Sequence, residues 1–211
     1  MPKLTLYHAA PSRSSIVHWM LEELAQPYEL QMISFKKGEN RQPAFLAINP
    51  MGKLPALKHG DTVITEAAAI CTYLADEFPQ AKLNIPVGDP KRGIYLKWLF
   101  FGPSCVEPAI TERAFPRKEQ ASRAALGFGD FETVLEVLAK AAAAANPYLL
   151  GAQFTAADVI IGSGLRWGTM FKLLPERPEF KTYLATLAER PALQKATAKD
   201  AQLAKEQEAA S

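Results

Sequence analysis

Leu4-Thr5-Leu6-Tyr7-His8 alternates apolar and polar positions, the two-residue period of a short strand. After the turn Ala9-Ala10-Pro11-Ser12 the period lengthens. Over Ser14 to Ala25, Ile16, Val17, Met20, Leu21 and Leu24 share one helical face, while Glu22 and Glu23 point away from it. Gln26-Pro27 ends that helix, because proline has no N–H to continue it. Tyr28 to Ile33 alternates again and predicts a second strand. The polar stretch Lys36-Lys37-Gly38-Glu39-Asn40 leads to a short helix around Pro43 to Ile48. Leu54 to Lys58 and Thr62 to Thr65 flank His59-Gly60-Asp61 in the pattern of a hairpin, and Glu66 to Phe78 reads as a helix. The order βαβαββα predicts an α/β domain over residues 1–79.

Pro79 to Pro90 carries proline and glycine, breaks the periodicity and reads as a linker over residues 80–90. Only helical patterns follow, so residues 91–211 are expected to form an all-helical domain. Its segments are Gly93 to Arg113, with a kink expected at Gly102-Pro103 or Pro108, then Lys118 to Ala145, Thr155 to Phe171, Glu179 to Glu189, and Ala192 to about Lys199. The tail from Ala201 to Ser211 is polar and is expected to fray. Thr155 and Asp158 are spaced as a capping box, with Phe154 and Val159 placed for a hydrophobic staple. Gly162, Gly164 and Gly168 fall on the same helix and imply close packing or room for a ligand.

The 24 basic and 22 acidic residues leave a formal net charge of +2, too balanced for a nucleic-acid or anionic-membrane partner. Charges interrupt every apolar run, so no membrane span is expected. The start of the chain shows no secretory pattern. Cys71 and Cys105 are not in CxxC spacing, which makes a reduced cytoplasm the expected setting and a disulfide unexpected. The three histidines His8, His18 and His59 suggest no triad and no metal site, so neither a catalytic histidine nor a metal is expected.

Three features carry chemistry. Asn49-Pro50-Met51-Gly52-Lys53-Leu54-Pro55 precedes Thr65-Glu66-Ala67-Ala68-Ala69-Ile70, a proline-bearing strand start followed by an acidic helix N-terminus. Ser12-Arg13-Ser14-Ser15 opens a run of the form SRSxxVxWxLEEL. An α/β domain followed by an all-α domain completes the set. Together they resemble the cytosolic glutathione transferases, over essentially the whole chain and most strongly over residues 4–78.

That resemblance implies a thioredoxin-like N-terminal domain that binds glutathione and a helical domain that forms the electrophile pocket. Pro55 would be a cis proline, and Leu54 would offer its backbone N–H and C=O to the ligand as an added strand does. Glu66 would meet the ligand ammonium. The N–H of Ala67, at the positive end of a helix, would meet the ligand carboxylate. The family usually has serine where this chain has Ala67, so one hydrogen bond of roughly 1–2 kcal/mol is missing. Lys53 and Arg13 are further glutathione-binding candidates.

Conjugation uses the thiolate, and a free thiol is mostly protonated at neutral pH. A hydroxyl donating to the sulfur at a helix N-terminus stabilises the charged form. Ser12 is placed for that role, as a hydrogen-bond donor and not a nucleophile. Ser14, Ser15 and Tyr7 are alternates, and Ser12 is also well placed as a helix cap. Phe101, Cys105, Trp167 and Phe171 are the expected wall for a small hydrophobic electrophile. The resemblance further implies a homodimer and a role in detoxification. A glutathione-dependent disulfide reductase or peroxidase and a non-catalytic ligand-binding module remain open as alternatives.

Overall fold

In a computed structural model, which describes residues 3–119 and 121–209, β1 (Leu4–His8) sits inside a four-stranded sheet. Its alternation turns Leu4, Leu6 and His8 to one buried side. β2 (Tyr28–Met32) pairs with β1 in parallel, β3 (Ala56–His59) pairs with β1 antiparallel, and β4 (Thr62–Thr65) completes the hairpin, giving the order β2-β1-β3-β4. A parallel neighbour requires a crossover, and α1 (Ser14–Leu24) supplies it. α1 buries Val17, Trp19, Met20, Leu21 and Leu24, together with the polar Ser14 and His18. α3 (Ala67–Glu77) follows the hairpin and buries Ile70, Cys71 and Leu74. On the other side of β1, Tyr7 and Ile48 pack on a cluster of Ala9, Ile33, Phe45, Leu54 and Ala56, with Phe45 coming from the short α2 (Pro43–Leu46). This is the thioredoxin-like arrangement that the strand and helix order predicts.

The helical unit spans residues 82–189. α4 (Arg92–Phe101) runs through a π turn at Gly102–Val106 into α5 (Glu107–Ala114), so the irregularity falls at the first of the two expected kink positions. A Cβ on Gly102 would lie 2.4 Å from Ile160 Cγ2, which is why this turn approaches its neighbour so closely. α6 is Phe131–Ala144, α7 is Ala156–Met170 and α8 is Pro178–Ala188. At the start of α7 the Thr155–Asp158 capping box forms as expected. Of the three glycines on that helix, Gly168 has a clear packing cause: a Cβ there would meet Leu174 Cδ1 at 2.4 Å.

Four expectations are corrected. The helix read over Lys118 to Ala145 begins only at Phe131; Gln120 lies outside the described residues. Gly129 has φ of +76°, and Asp130 then caps α6 by accepting from Thr133 N–H at 2.7 Å. The frayed tail is instead part of a 19-residue helix, α9 (Pro191–Ala209), with Leu203 buried and Gln207 donating to the Ile33 carbonyl. Ala210 and Ser211, also read as tail, lie outside the described residues. Third, the segment from Arg190 groups with residues up to Ala81, not with the helical unit. Its reason is local to α1: Arg190 forms a forked pair with Glu23, Lys195 Nζ lies 2.6 Å from Glu22, and Asp200 reaches His18. The segment read as a linker, residues 80–90, belongs almost wholly to the helical unit, where Ala156 N–H donates to the Leu83 carbonyl at 2.8 Å.

Candidate functional site

The first turn of α1 places Ser12 at a helix N-terminus. Ser15 N–H donates to the Ser12 carbonyl at 3.1 Å, and Ile16 N–H to the Arg13 carbonyl at 3.2 Å, so the helical turn is already closed here. Ser12 is half-buried, and its Oγ accepts from Ser14 N–H at 3.1 Å. That bond uses a lone pair and leaves the hydroxyl hydrogen to be given elsewhere. Arg13 is exposed and takes the N-cap position.

The three alternates are held differently. Ser14 is fully buried, and its Oγ touches Ala9 N–H (3.2 Å), the Ala9 carbonyl (3.2 Å), Ser12 Oγ (2.6 Å) and His8 Nδ1 (2.7 Å). Ser15 hydrogen-bonds the Asp200 carboxylate of α9. Tyr7 points to the other side of β1, where its ring meets Phe45 edge-on at 5.8 Å.

The second cluster of sequence candidates sits at the start of β3. The Leu54–Pro55 bond is cis, and both residues are buried. The β1/β3 register pairs Tyr7 with Ala56, so its continuation would set Ala9 opposite Leu54. Ala9 N–H is turned instead to Ser14 Oγ. Among the described residues, the backbone bonds outside regular elements include none from Leu54, which leaves its peptide groups open to an added strand. Lys53 is exposed, and its carbonyl accepts from Asn49 Nδ2 at 2.8 Å. Glu66 is exposed at the N-cap of α3 with φ of +68° and ψ of +118°, a conformation that costs a non-glycine residue of order 1–3 kcal/mol. Ala67 begins the helix, so its N–H is one of the unpaired donors of the first turn.

One group escaped sequence reasoning. His8 Nε2, His18 and Asp200 bring their ligand atoms within 4.8 Å of one another. His18 Nδ1 is 2.5 Å from Asp200 Oδ1, and His8 Nε2 is 3.1 Å from the same oxygen. Two ligands of a single first-row ion, each at about 2.0–2.2 Å, sit roughly 3 Å apart. The His18–Asp200 contact is shorter and is a direct hydrogen bond. Burial works against the Asp200 charge, but the hydrogen bond from His18, with His8 and Ser15 beside the same carboxylate, outweighs it and holds the carboxyl well below the usual range. Beyond His18, Nε2 lies 2.9 Å from the Tyr28 hydroxyl, which donates to Glu22. Burial, reinforced by Glu22, pushes the Tyr28 phenol up and keeps it protonated. The sequence carries no local signal for this cluster, because Asp200 is 182 positions from His18.

Residues 2–76 match the family description "Glutathione S-transferase, N-terminal domain". Glutathione S-transferase 3 of Zea mays is 29% identical over 212 residues, covering 94% of this chain and 95% of that protein. Over most of its length the chain is similar to glutathione S-transferases. Its kinship is with transferases, and its fold is that of the solved members. A glutathione transferase from Phanerochaete chrysosporium, solved in complex with oxidized glutathione, superposes with a TM-score of 0.80 at 27% identity, over 96% of this chain and 98% of that one. A glutathione transferase homologue from Sulfitobacter with bound glutathione gives a TM-score of 0.73 at 26% identity, over 94% and 99%.

Within the helical unit, the four expected pocket residues form two separate pairs. Phe101 is half-buried and packs edge-on against Trp98 at 5.6 Å, with Cys105 one turn further on. The rings of Trp167 and Phe171 meet at a tilt, 5.4 Å between centroids, and Phe171 is exposed. No ring contact joins the two pairs among the described residues. Two grooves of this unit, of about 380 and 350 Å³, are lined by other side chains, the larger by Arg113, Phe131, Leu135 and Leu174 and the smaller by Pro103, Phe115 and Phe128. Among the described residues, no helix is long and apolar enough to cross a membrane.

Proposed function

We propose that this protein conjugates the thiolate of glutathione to small hydrophobic electrophiles, with Ser12 as the thiolate's hydrogen-bond donor. The observation that carries the reading is the state of Ser12: half-exposed at the N-terminus of α1, its oxygen accepting from Ser14 N–H and its hydroxyl 2.6 Å from Ser14 Oγ in a contact where either oxygen can donate. A donor so placed, with the helix dipole behind it, favours the charged sulfur over the neutral one. The same unit supports the seat for the rest of the ligand. Leu54 has open peptide groups for the cysteinyl backbone, Glu66 a carboxylate for the ammonium, and Ala67 an N–H for the γ-glutamyl carboxylate. Arg13 and Lys53, both exposed, are cations for the ligand's second carboxylate. The buried Ser14, the α9-bound Ser15 and the Phe45-packed Tyr7 are less free to turn to a ligand.

The resemblance extends the proposal to a cytoplasmic homodimer that acts in detoxification, without a metal. Phe101, Cys105, Trp167 and Phe171 are the candidates for the electrophile's apolar wall. The test is retention on immobilised glutathione, followed by turnover of an aryl halide and of a peroxide or disulfide. Ser12→Ala is expected to cut aryl-halide turnover roughly tenfold to a hundredfold, the worth of a hydrogen bond to a charged group. Turnover of the disulfide but not the halide replaces conjugation with reductase chemistry. No retention and no turnover sinks both enzymatic readings.

A further inference from the structure

Two hydroxyls and an imidazole form an unbroken chain inward from Ser12. Ser12 Oγ is 2.6 Å from Ser14 Oγ, Ser14 Oγ is 2.7 Å from His8 Nδ1, and His8 Nε2 is 3.1 Å from Asp200 Oδ1. His8 and Ser14 are fully buried, so no water exchanges with the middle of the chain. Among the described residues His8 Nε2 has no aligned hydrogen-bond partner, and the Asp200 oxygen is the polar atom it faces. The carboxylate of a C-terminal helix is thereby connected to the hydroxyl at the mouth of the glutathione seat.

The neighbours assign the protons. Tyr28 gives its hydrogen to Glu22, so His18 Nε2, at 2.9 Å, donates to the Tyr28 oxygen. His18 Nδ1 donates to Asp200 at 2.5 Å. Both His18 ring nitrogens are therefore engaged, by Tyr28 and by Asp200. Lys195 balances Glu22 at 2.6 Å. The charged and titratable groups facing His8 from α1, β2 and α9 are thus already paired. His8 is left as the neutral imidazole, with its hydrogen on Nε2 toward Asp200 and its Nδ1 lone pair toward Ser14.

We propose that His8 is the positioning residue and proton acceptor of the thiol-activating chain, working through Ser14 and Ser12 and oriented by Asp200. The inference rests on the reading of Ser12 as the thiol's partner. In the step, the S–H bond of glutathione breaks and its proton passes to Ser12 Oγ. The Ser12 proton passes to Ser14 Oγ, and the Ser14 proton to His8 Nδ1. The sulfur gains one negative charge and His8 one positive, and no further reactant is needed. One shift reverses every hydrogen bond in the chain. His8 then donates to Ser14, Ser14 to Ser12, and Ser12 outward to the thiolate it has helped form. Asp200 lies against the new imidazolium. After the thioether forms and its leaving group departs, the proton returns along the same chain to water. Serine alone, without the imidazole, donates a hydrogen bond but takes up no net proton.

The experiment is a pH titration of the thiolate absorbance of bound glutathione on the full chain, with folding followed by circular dichroism and glutathione affinity by calorimetry. Wild type is compared with Ser12→Ala, His8→Gln, Asp200→Asn and Arg190→Gln. Arg190 holds the same helix to Glu23 and has no part in the chain, so it reports loss of anchorage alone. The apparent thiol pKa is expected to rise by about one unit in His8→Gln and in Asp200→Asn, a roughly tenfold smaller thiolate fraction near neutral pH, with glutathione affinity retained. Arg190→Gln is expected to titrate as wild type despite lower stability. If His8→Gln does not fold, Asp200→Asn carries the comparison. Wild-type titration in the His8 and Asp200 variants, alongside a raised pKa in Ser12→Ala, overturns the relay and leaves the Ser12 reading standing. A shift of equal size in Arg190→Gln also overturns it. A wild-type protein that binds glutathione but leaves its thiol protonated removes the Ser12 reading itself.

Discussion

Asp158 and Asp200 are both carboxylates withdrawn from water, and they answer burial in opposite ways. Asp158, at the start of α7, accepts from Leu149 N–H, Thr155 N–H, Thr155 Oγ and Tyr183 Oη at 2.9–3.2 Å. All four donors are neutral. Burial is the larger effect and raises the carboxyl above its usual range in spite of them. Asp200, on α9, is met by two imidazoles and a serine, and its carboxyl is lowered. The difference teaches what each site is for. Neutral dipoles fix a helix start and a loop, and the Asp158 network does so with no proton to exchange. Imidazoles hold a carboxylate in its charged form and can themselves gain and lose protons, so the Asp200 network couples architecture to proton transfer.

The largest effect expected from breaking this comparison is in the helical unit. Asp158→Ala removes the capping box and strands four buried donors, and should lower stability by about 3–4 kcal/mol in urea unfolding. Asp200→Asn keeps the shape and some hydrogen bonding, and should cost about 2 kcal/mol while slowing thiolate formation as described above. The two carboxylates also predict opposite responses to acid. The folded pKa of Asp200 lies below the unfolded value, so its contribution is full above about pH 4 and is lost as pH falls from there toward the folded value. The folded pKa of Asp158 lies above the unfolded value, so its contribution is full below about pH 4 and declines as pH rises through the folded value. Hydrogen exchange in acid should therefore loosen α9 before α7; the reverse order would contradict the assignment. Smallest of all is Lys195→Ala. Its ammonium is 72% exposed, and loss of the contact to Glu22 should change stability by no more than about 1 kcal/mol.

Much of this was legible along the chain, and the reasons are local. β1 and β4 follow directly from their two-residue period, and α1 and β2 to within a residue from theirs. The Thr155–Asp158 box was readable because both partners lie within one helical turn. Ser12, Leu54, Pro55 and Glu66 stood out because the short motifs around them resemble those of the glutathione transferases. What was hidden depends on distant partners. Lys118 to Asp130 has helix-forming residues, but Gly127 and Gly129 leave the helix to start at the Asp130 cap. Ala201 to Ala209 is polar enough to fray in isolation, and it is helical because Asp200, Leu203 and Gln207 find α1, a buried site and the end of β2. His8 and His18 suggested no shared site for the same reason. Their common partner is almost two hundred positions away.

The most direct measurement is a crystal structure of the full chain with reduced glutathione bound. It should place the sulfur within hydrogen-bond reach of Ser12 Oγ, with the cysteinyl backbone paired to Leu54 and the ammonium on Glu66. A sulfur held by Tyr7, by Ser15, or by no hydroxyl at all would contradict the account.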